Sequence, residues 1–91
     1  MQYPRTDTYA VDTPQQLRTI LRSLRQASGL TQAQLGERLG VTQKRIARIE
    51  AAPEVTAYDQ IARIVTAMGY RLLIEKSAPQ HKVAEPGPDT W

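Results

Sequence analysis

The fold is decided by residues 31–50, which read TQAQLGERLGVTQKRIARIE. Two short helical patterns lie in this stretch, because Leu35 and Leu39 share one face of the first and Ile46 and Ile49 share one face of the second. A threonine before each pattern can accept a backbone N–H, and Gly40 between them can close the first helix in the left-handed conformation. Two helices joined so tightly cross steeply, so the stretch is predicted to be a helix-turn-helix.

The side chains of the second helix that point away from its apolar face are expected to contact DNA. Because the first turns of such a helix enter the major groove, we expect base contacts from Gln43, Lys44 and Arg48. Glutamine can pair with adenine through two hydrogen bonds, and the cations can donate to guanine. Side chains and amide N–H groups at helix starts can hold phosphates. The expected phosphate contacts are Gln32, Thr42 and Arg45.

Positive charge is concentrated on this part of the chain. Residues 13–52 carry seven cationic and two anionic side chains, a net charge of +5, whereas residues 1–12 and 53–91 each carry −1. This distribution indicates an electrostatic footprint for phosphate groups. Taken alone, the charge fits a solvated basic face equally well.

Two further amphipathic helices are predicted, one on each side of residues 31–50. The first begins at Thr13, which is followed by proline, and continues with aliphatic residues at helical spacing until Gly29. The other is expected to begin with Thr56 and Asp59, a carboxylate variant of the capping box, and to end at Gly69.

One strand is predicted, at residues 70–76, which are short and rich in aliphatic side chains. A lone strand leaves its backbone groups unsatisfied, so the expected partner is the same strand of a second copy across a two-fold axis. The alternative is an extended segment lying on its own helices. The expected dimer contacts are Arg71, Leu72, Leu73 and Ile74.

The chain is therefore divided into four parts. Residues 1–12 are a flexible arm, with a short extended piece expected at 9–11, and residues 13–69 are the DNA-binding domain. Residues 70–76 are the dimerisation strand. Residues 77–91 are rich in proline and poor in aliphatics, so a disordered tail is expected.

Several functional classes find no support in the composition. The chain has no cysteine, which leaves no disulfide or thiolate metal site and suits a reducing cytoplasm. The single histidine, His81, has no second ligand or carboxylate near it, and no glycine-rich phosphate loop is present. We expect no enzymatic activity, cofactor, metal or small-molecule substrate. Without a secretory signal or a membrane-spanning run, a cytoplasmic protein is expected, associated with the nucleoid when bound to DNA.

Residues 13–69 resemble the Cro/C1-type (Xre) helix-turn-helix family, through Arg25 and through residues 29–35, 40–42 and 46–50. The resemblance implies an all-α, four-helix, lambda-repressor-like domain that binds a palindromic operator as a homodimer. It also implies a partly buried salt bridge between Arg25 and Glu50, which is plausible because an unpaired buried charge is costly. Gly36 departs from the alanine usual in the family, at an expected cost in helix propensity.

The downstream residues resemble HipB-type antitoxins, through Glu50, Pro53 and Thr56, through residues 71–74 and through Trp91. This narrower resemblance implies an autorepressor that is also the antitoxin of a type II toxin–antitoxin system and neutralises a HipA-like Ser/Thr kinase. One alternative is an Xre-family repressor without a HipA kinase, either a phage-type regulator or the antitoxin of another toxin. The second alternative is a dimeric protein-interaction adaptor that does not bind DNA.

Overall fold

The computed structural model describes residues 8–77. The expectations for the first part of the N-terminal arm, for His81 and for the disordered tail with Trp91 fall outside these residues. Within the described part, no helix combines the length and the hydropathy that crossing a bilayer requires.

Four α-helices and one 3-10 turn follow one another along the described chain. They are α1 (Pro14–Ala27), α2 (Gln32–Leu39), α3 (Gln43–Ala51), the 3-10 turn (Pro53–Val55) and α4 (Tyr58–Ala67). Helices α2 and α3 are the two patterns of residues 31–50. The prediction of an all-α, four-helix fold containing a helix-turn-helix is thus confirmed.

The first three helices begin at threonine N-caps, as their sequences predict. Each hydroxyl accepts a backbone N–H at 3.0–3.1 Å: Thr13 from Gln16, Thr31 from Gln34 and Thr42 from Arg45. Such a cap satisfies one of the amide groups that the first helical turn leaves without a partner. Gly40 ends α2 at φ 75° and ψ 28°, the left-handed conformation expected from the sequence.

Helix α4 begins differently from the prediction. Its N-cap is Ala57, and no side chain caps the helix. The Thr56 hydroxyl donates instead to the carbonyl oxygen of Ala52 at 3.1 Å, and the Thr56 amide donates to Pro53 at 3.1 Å. Thr56 is the residue that ends the 3-10 turn, and the N-cap of α4 falls one residue later. The predicted capping box of Thr56 with Asp59 is therefore wrong.

A single core lies among the four helices. Leu21 of α1, Leu35 of α2, Ile46 of α3 and Ile64 of α4 are its largest fully buried side chains. Burial of one such side chain contributes about 1.5–3 kcal/mol to folding. The face of α3 that carries Ile46 is thus packed against the core, and the opposite face of that helix is exposed.

Residues 70–77 contain neither helix nor strand, and no strand occurs elsewhere in residues 8–77. A strand whose partner is a second copy cannot form its ladder within one chain. The strand at residues 70–76 therefore stays a prediction. Its first residue is nevertheless fixed to the domain, because the Tyr70 amide donates to the carbonyl oxygen of Val65 at 3.1 Å.

Gly36 is required by the packing of the helix-turn-helix. A Cβ atom at this buried position would lie 2.6 Å from the carbonyl oxygen of Val41 and 3.2 Å from the carbonyl carbon of Thr42. Both neighbours are backbone atoms of the turn before α3, so neither can rotate away. The sequence indicated only a small cost in helix propensity, whereas the structure shows a close approach that needs glycine.

We predict that Gly36→Ala destabilises the protein. Alanine has the better helix propensity by about 1 kcal/mol, but the added methyl group would displace the turn at a cost of about 1–3 kcal/mol. Urea unfolding followed by circular dichroism measures the net effect. Ala33→Gly, at an exposed position of the same helix, reports the propensity term alone. A Gly36→Ala protein more stable than the parent would contradict the packing argument.

Candidate nucleic-acid interface

Helix α3 has one buried and one exposed side. Ile46 and Ile49 are buried in the core, with exposed fractions of 0% and 3%. Gln43, Lys44 and Arg48 are exposed. The three residues predicted to contact bases are therefore all available to a ligand, on a helix that the core holds rigidly from behind.

Arg25 and Glu50 join α1 to the end of α3. The Arg25 Nε donates to Glu50 Oε2 at 2.6 Å, and Nη2 donates to Glu50 Oε1 at 3.2 Å. The remaining Nη1 donates to the carbonyl oxygen of Leu30 at 3.0 Å. The side chains are only 11% and 6% exposed, so this two-pronged charge pair lies in a largely desolvated junction. The structure thus brings together the two residues that the family resemblance paired.

Glu50 also contacts the start of α2. Gln32 Nε2 donates to Glu50 Oε1 at 3.1 Å. Gln32 Oε1 in turn accepts from Gln43 Nε2 at 2.7 Å. These four side chains form one hydrogen-bonded chain, which we call the Glu50 network: Arg25, Glu50, Gln32 and Gln43.

The chemistry of the Glu50 network sets the orientation of both amides. An ionised carboxylate can only accept hydrogen bonds, so Gln32 must present its NH₂ group to Glu50. The Gln32 oxygen then faces Gln43, which must in turn donate. The side-chain oxygen of Gln43 and one of its N–H groups make no hydrogen bond within the network. These two groups, one acceptor and one donor, are complementary to the donor and the acceptor that adenine presents in the major groove.

Arg45 lies at the side of α3 and has a protein partner. Its Nη2 donates to Gln60 Oε1 on α4, and the Arg45 side chain is half-buried. In the free protein this contact ties α3 to α4. Of the other predicted phosphate contacts, Gln32 is engaged in the Glu50 network, whereas Thr42 is exposed at the N-cap of α3.

Two residues of α4 that the sequence did not single out support the helix-turn-helix. Gln60 holds Arg45, as described above. Arg63 Nη2 donates to the carbonyl oxygen of Leu39 at 3.1 Å, at the C-terminal end of α2. A cation there is favoured because the last carbonyl groups of a helix carry partial negative charge. No local pattern could have indicated either contact, since the partners are 15 and 24 residues apart in the chain.

Other kinds of site find no positive sign in the described part of the chain. Among residues 8–77, no group of three or more histidine or acidic side chains is placed to hold a metal ion.

The residues expected to make the dimer are all exposed: Arg71, Leu72, Leu73 and Ile74.

Comparison with models of protein families identifies a helix-turn-helix domain. The family model described as "Helix-turn-helix domain" matches residues 16–71, which is more than half of the chain. The match covers the Glu50 network and all of α3. No curated protein and no solved structure matches the chain.

We predict that Arg25 and Glu50 are strongly coupled in stability. Arg25→Met alone leaves a buried carboxylate without its cation, and we expect it to cost about 3–5 kcal/mol. Adding Glu50→Leu should recover part of this loss, because the second change removes the unpaired charge. Urea unfolding of the two single variants and the double variant gives the coupling energy.

The matched control is Arg22→Met, which changes an exposed arginine of the same helix. We expect it to change the free energy of unfolding by no more than about 0.5 kcal/mol. Strictly additive effects of Arg25→Met and Glu50→Leu would show that the pair does not act as a unit.

Proposed function

The chain belongs to the helix-turn-helix domain family, and from that premise we propose that it is a dimeric transcriptional autorepressor that binds a palindromic operator. A domain of this family indicates a DNA-binding regulator and is typical of proteins that are not enzymes. The observation that carries the proposal is the exposed side of α3, where Gln43, Lys44 and Arg48 face away from the core. A helix supported in this way can enter the major groove without rearranging the domain.

Base contacts are assigned to the exposed side of α3. Gln43 is oriented by the Glu50 network so that one acceptor and one donor remain for adenine. Because this orientation exists before DNA is bound, little side-chain entropy is lost on binding. Lys44 and Arg48 lie farther around the same exposed side and donate to guanine.

Phosphate contacts are assigned to the starts of α2 and α3. Thr42 and Gln32 are at these starts, where backbone N–H groups also point outward. If Arg45 contacts a phosphate, its guanidinium either keeps its hydrogen bond to Gln60 and donates to the phosphate as well, or it leaves Gln60 for the phosphate. It has the donors to do both, since a guanidinium carries five N–H groups.

The dimer is assigned to residues 70–76. Leu72, Leu73 and Ile74 are 39%, 65% and 103% exposed, and three consecutive exposed aliphatic side chains are unfavourable in a lone chain. Pairing of two copies about a two-fold axis would remove part of their surface from water, because each side chain would pack beside its cross-strand neighbour. It would also place two α3 helices in successive turns of the major groove, about 34–36 Å apart or a multiple of that distance.

The proposed protein partner is a HipA-like Ser/Thr kinase, which the repressor would neutralise as an antitoxin. The support for this partner is the resemblance of residues 50–56 and 71–74 to HipB-type antitoxins. The DNA-binding proposal is independent of it, because a repressor without a kinase partner would use the same surface of α3.

We predict that Lys44→Ala combined with Arg48→Ala abolishes specific DNA binding without unfolding the protein. Both side chains are exposed, so their removal leaves the core intact while deleting two donors to base edges. The test uses an operator selected by the parent protein from a random-sequence duplex pool, followed by gel-shift titration. Each lost guanine contact is worth about 1–3 kcal/mol of discrimination.

The matched control is Arg22→Ala combined with Arg38→Ala, which removes two exposed cations from α1 and α2. This control should keep its preference for the selected operator and lose only some general affinity at low salt. Unchanged specific binding by the α3 variant, or failure of the parent protein to select any sequence, would contradict the proposal.

A further inference from the structure

The C-terminal segment, residues 70–77, has a sequence that is complementary to itself. Residues 70–76 read YRLLIEK. If two copies of this segment run antiparallel with Leu73 opposite Leu73, then Leu72 lies opposite Ile74 and Arg71 lies opposite Glu75. In a strand pair, residues directly opposite each other share a face and are close enough to interact. Both the aliphatic and the charged side chains thus find suitable partners in one register.

Other two-fold registers lack this match. Centring the axis on Arg71 or on Glu75 would place like charges opposite each other, which is destabilising. Centring it on Leu72 would place Arg71 opposite Leu73, and centring it on Ile74 would place Glu75 opposite Leu73. The charges therefore select the register centred on Leu73.

The exposure of the segment fits a second copy as the occupant. Ile74 is 103% exposed and Leu73 is 65% exposed, and the cation Arg71 and the anion Glu75 are exposed as well. A surface with one aliphatic centre and opposite charges at its two ends is complementary to the same surface turned by 180°. A partner of uniform charge would match only one end.

The start of the segment is held in a defined place on the domain. The Tyr70 amide donates to Val65 at the end of α4. The Tyr70 ring also packs against the Tyr9 ring, with centroids 6.1 Å apart and planes tilted by 60°. Because Arg71 follows directly, the position of the two-fold axis relative to α4 is restricted, and so is the distance between the two α3 helices.

We propose that residues 70–76 of two copies pair as antiparallel strands about a two-fold axis at Leu73, with Arg71 of each copy opposite Glu75 of the partner subunit. This inference rests on the proposed dimer and specifies its register. The register determines the half-site spacing, so it is a determinant of operator choice that lies outside the helix-turn-helix.

Disulfide mapping tests the register directly, because the chain contains no cysteine. Opposite Cα atoms in an antiparallel pair are about 4.5–5.5 Å apart, within the range that a disulfide spans. We expect full-length Leu73→Cys to cross-link to itself under mild oxidation. In a dimer of the Leu72→Cys variant, each new cysteine lies opposite Ile74 of the partner subunit and not opposite the other cysteine. The two cysteines are then two positions apart along the strand pair, with Cα atoms about 8 Å apart, and should cross-link poorly.

The matched comparison mixes Leu72→Cys with Ile74→Cys, one of them carrying a size tag. The mixed disulfide should form efficiently, although each variant alone does not cross-link. Self-cross-linking of Leu72→Cys or Ile74→Cys at the level of Leu73→Cys would overturn the register. Sedimentation of the unmodified protein as a monomer at all concentrations would overturn the proposed dimer instead, so the two failures are distinguishable.

Charge exchange provides a second test that needs no cysteine. Arg71→Glu places Glu opposite Glu75 twice in the dimer, and we expect the dimer dissociation constant to rise roughly tenfold. Adding Glu75→Arg restores opposite charges at both places and should return the constant to near its original value. A double variant as weak as Arg71→Glu alone would overturn the pairing of these two residues.

Discussion

The structure depends on a buried carboxylate. Glu50 is 5% exposed, and an ion at such a position is tolerated only if it is paired and hydrogen-bonded. Arg25 supplies the opposite charge and two hydrogen bonds, and Gln32 supplies a third. One side chain therefore brings the first helix, the start of the second and the end of the third to a common point.

The same carboxylate has a consequence for recognition. Because Glu50 accepts from Gln32, it determines which end of the Gln32 amide faces Gln43. The interior of the domain and its proposed DNA-contacting surface are thus parts of one hydrogen-bonded chain. In that arrangement a residue that never touches DNA can influence which base is preferred, by holding one amide in one of its two orientations.

The sequence predicted what depends on neighbouring residues. Threonine N-caps, a left-handed Gly40 and the helical apolar spacing are local features, and the structure contains all of them. The predictions that failed, or were not made, concern the turns between helices, where the path of the backbone decides which contacts form. Thr56 ends the 3-10 turn, so the N-cap of α4 falls on Ala57 instead. Gly36 is needed because the backbone of the turn before α3 comes back against it.

Two parts of the site depend on more than local sequence patterns, for different reasons. The contact of Arg45 with Gln60 needs the crossing angle of α3 and α4, which no spacing rule provides. The strand predicted at residues 70–76 would need a second chain to form its ladder, so its proposed register is argued from the sequence of the segment. The assignments of Gln43, Lys44 and Arg48 to bases remain proposals, since their exposure shows access and not contact.

The most direct test of the link between interior and recognition is a double-mutant cycle of Gln32→Met and Gln43→Ala. The measured quantity is the affinity ratio between the selected operator and one in which the adenine proposed to pair with Gln43 is changed to guanine. Gln43→Ala should reduce this ratio by about 5- to 150-fold, corresponding to about 1–3 kcal/mol. Gln32→Met should remove most of the same preference, and the double variant should lose no more than Gln43→Ala alone. Full adenine preference in Gln32→Met would contradict the account, because it would show that Gln43 does not need the Glu50 network to be oriented.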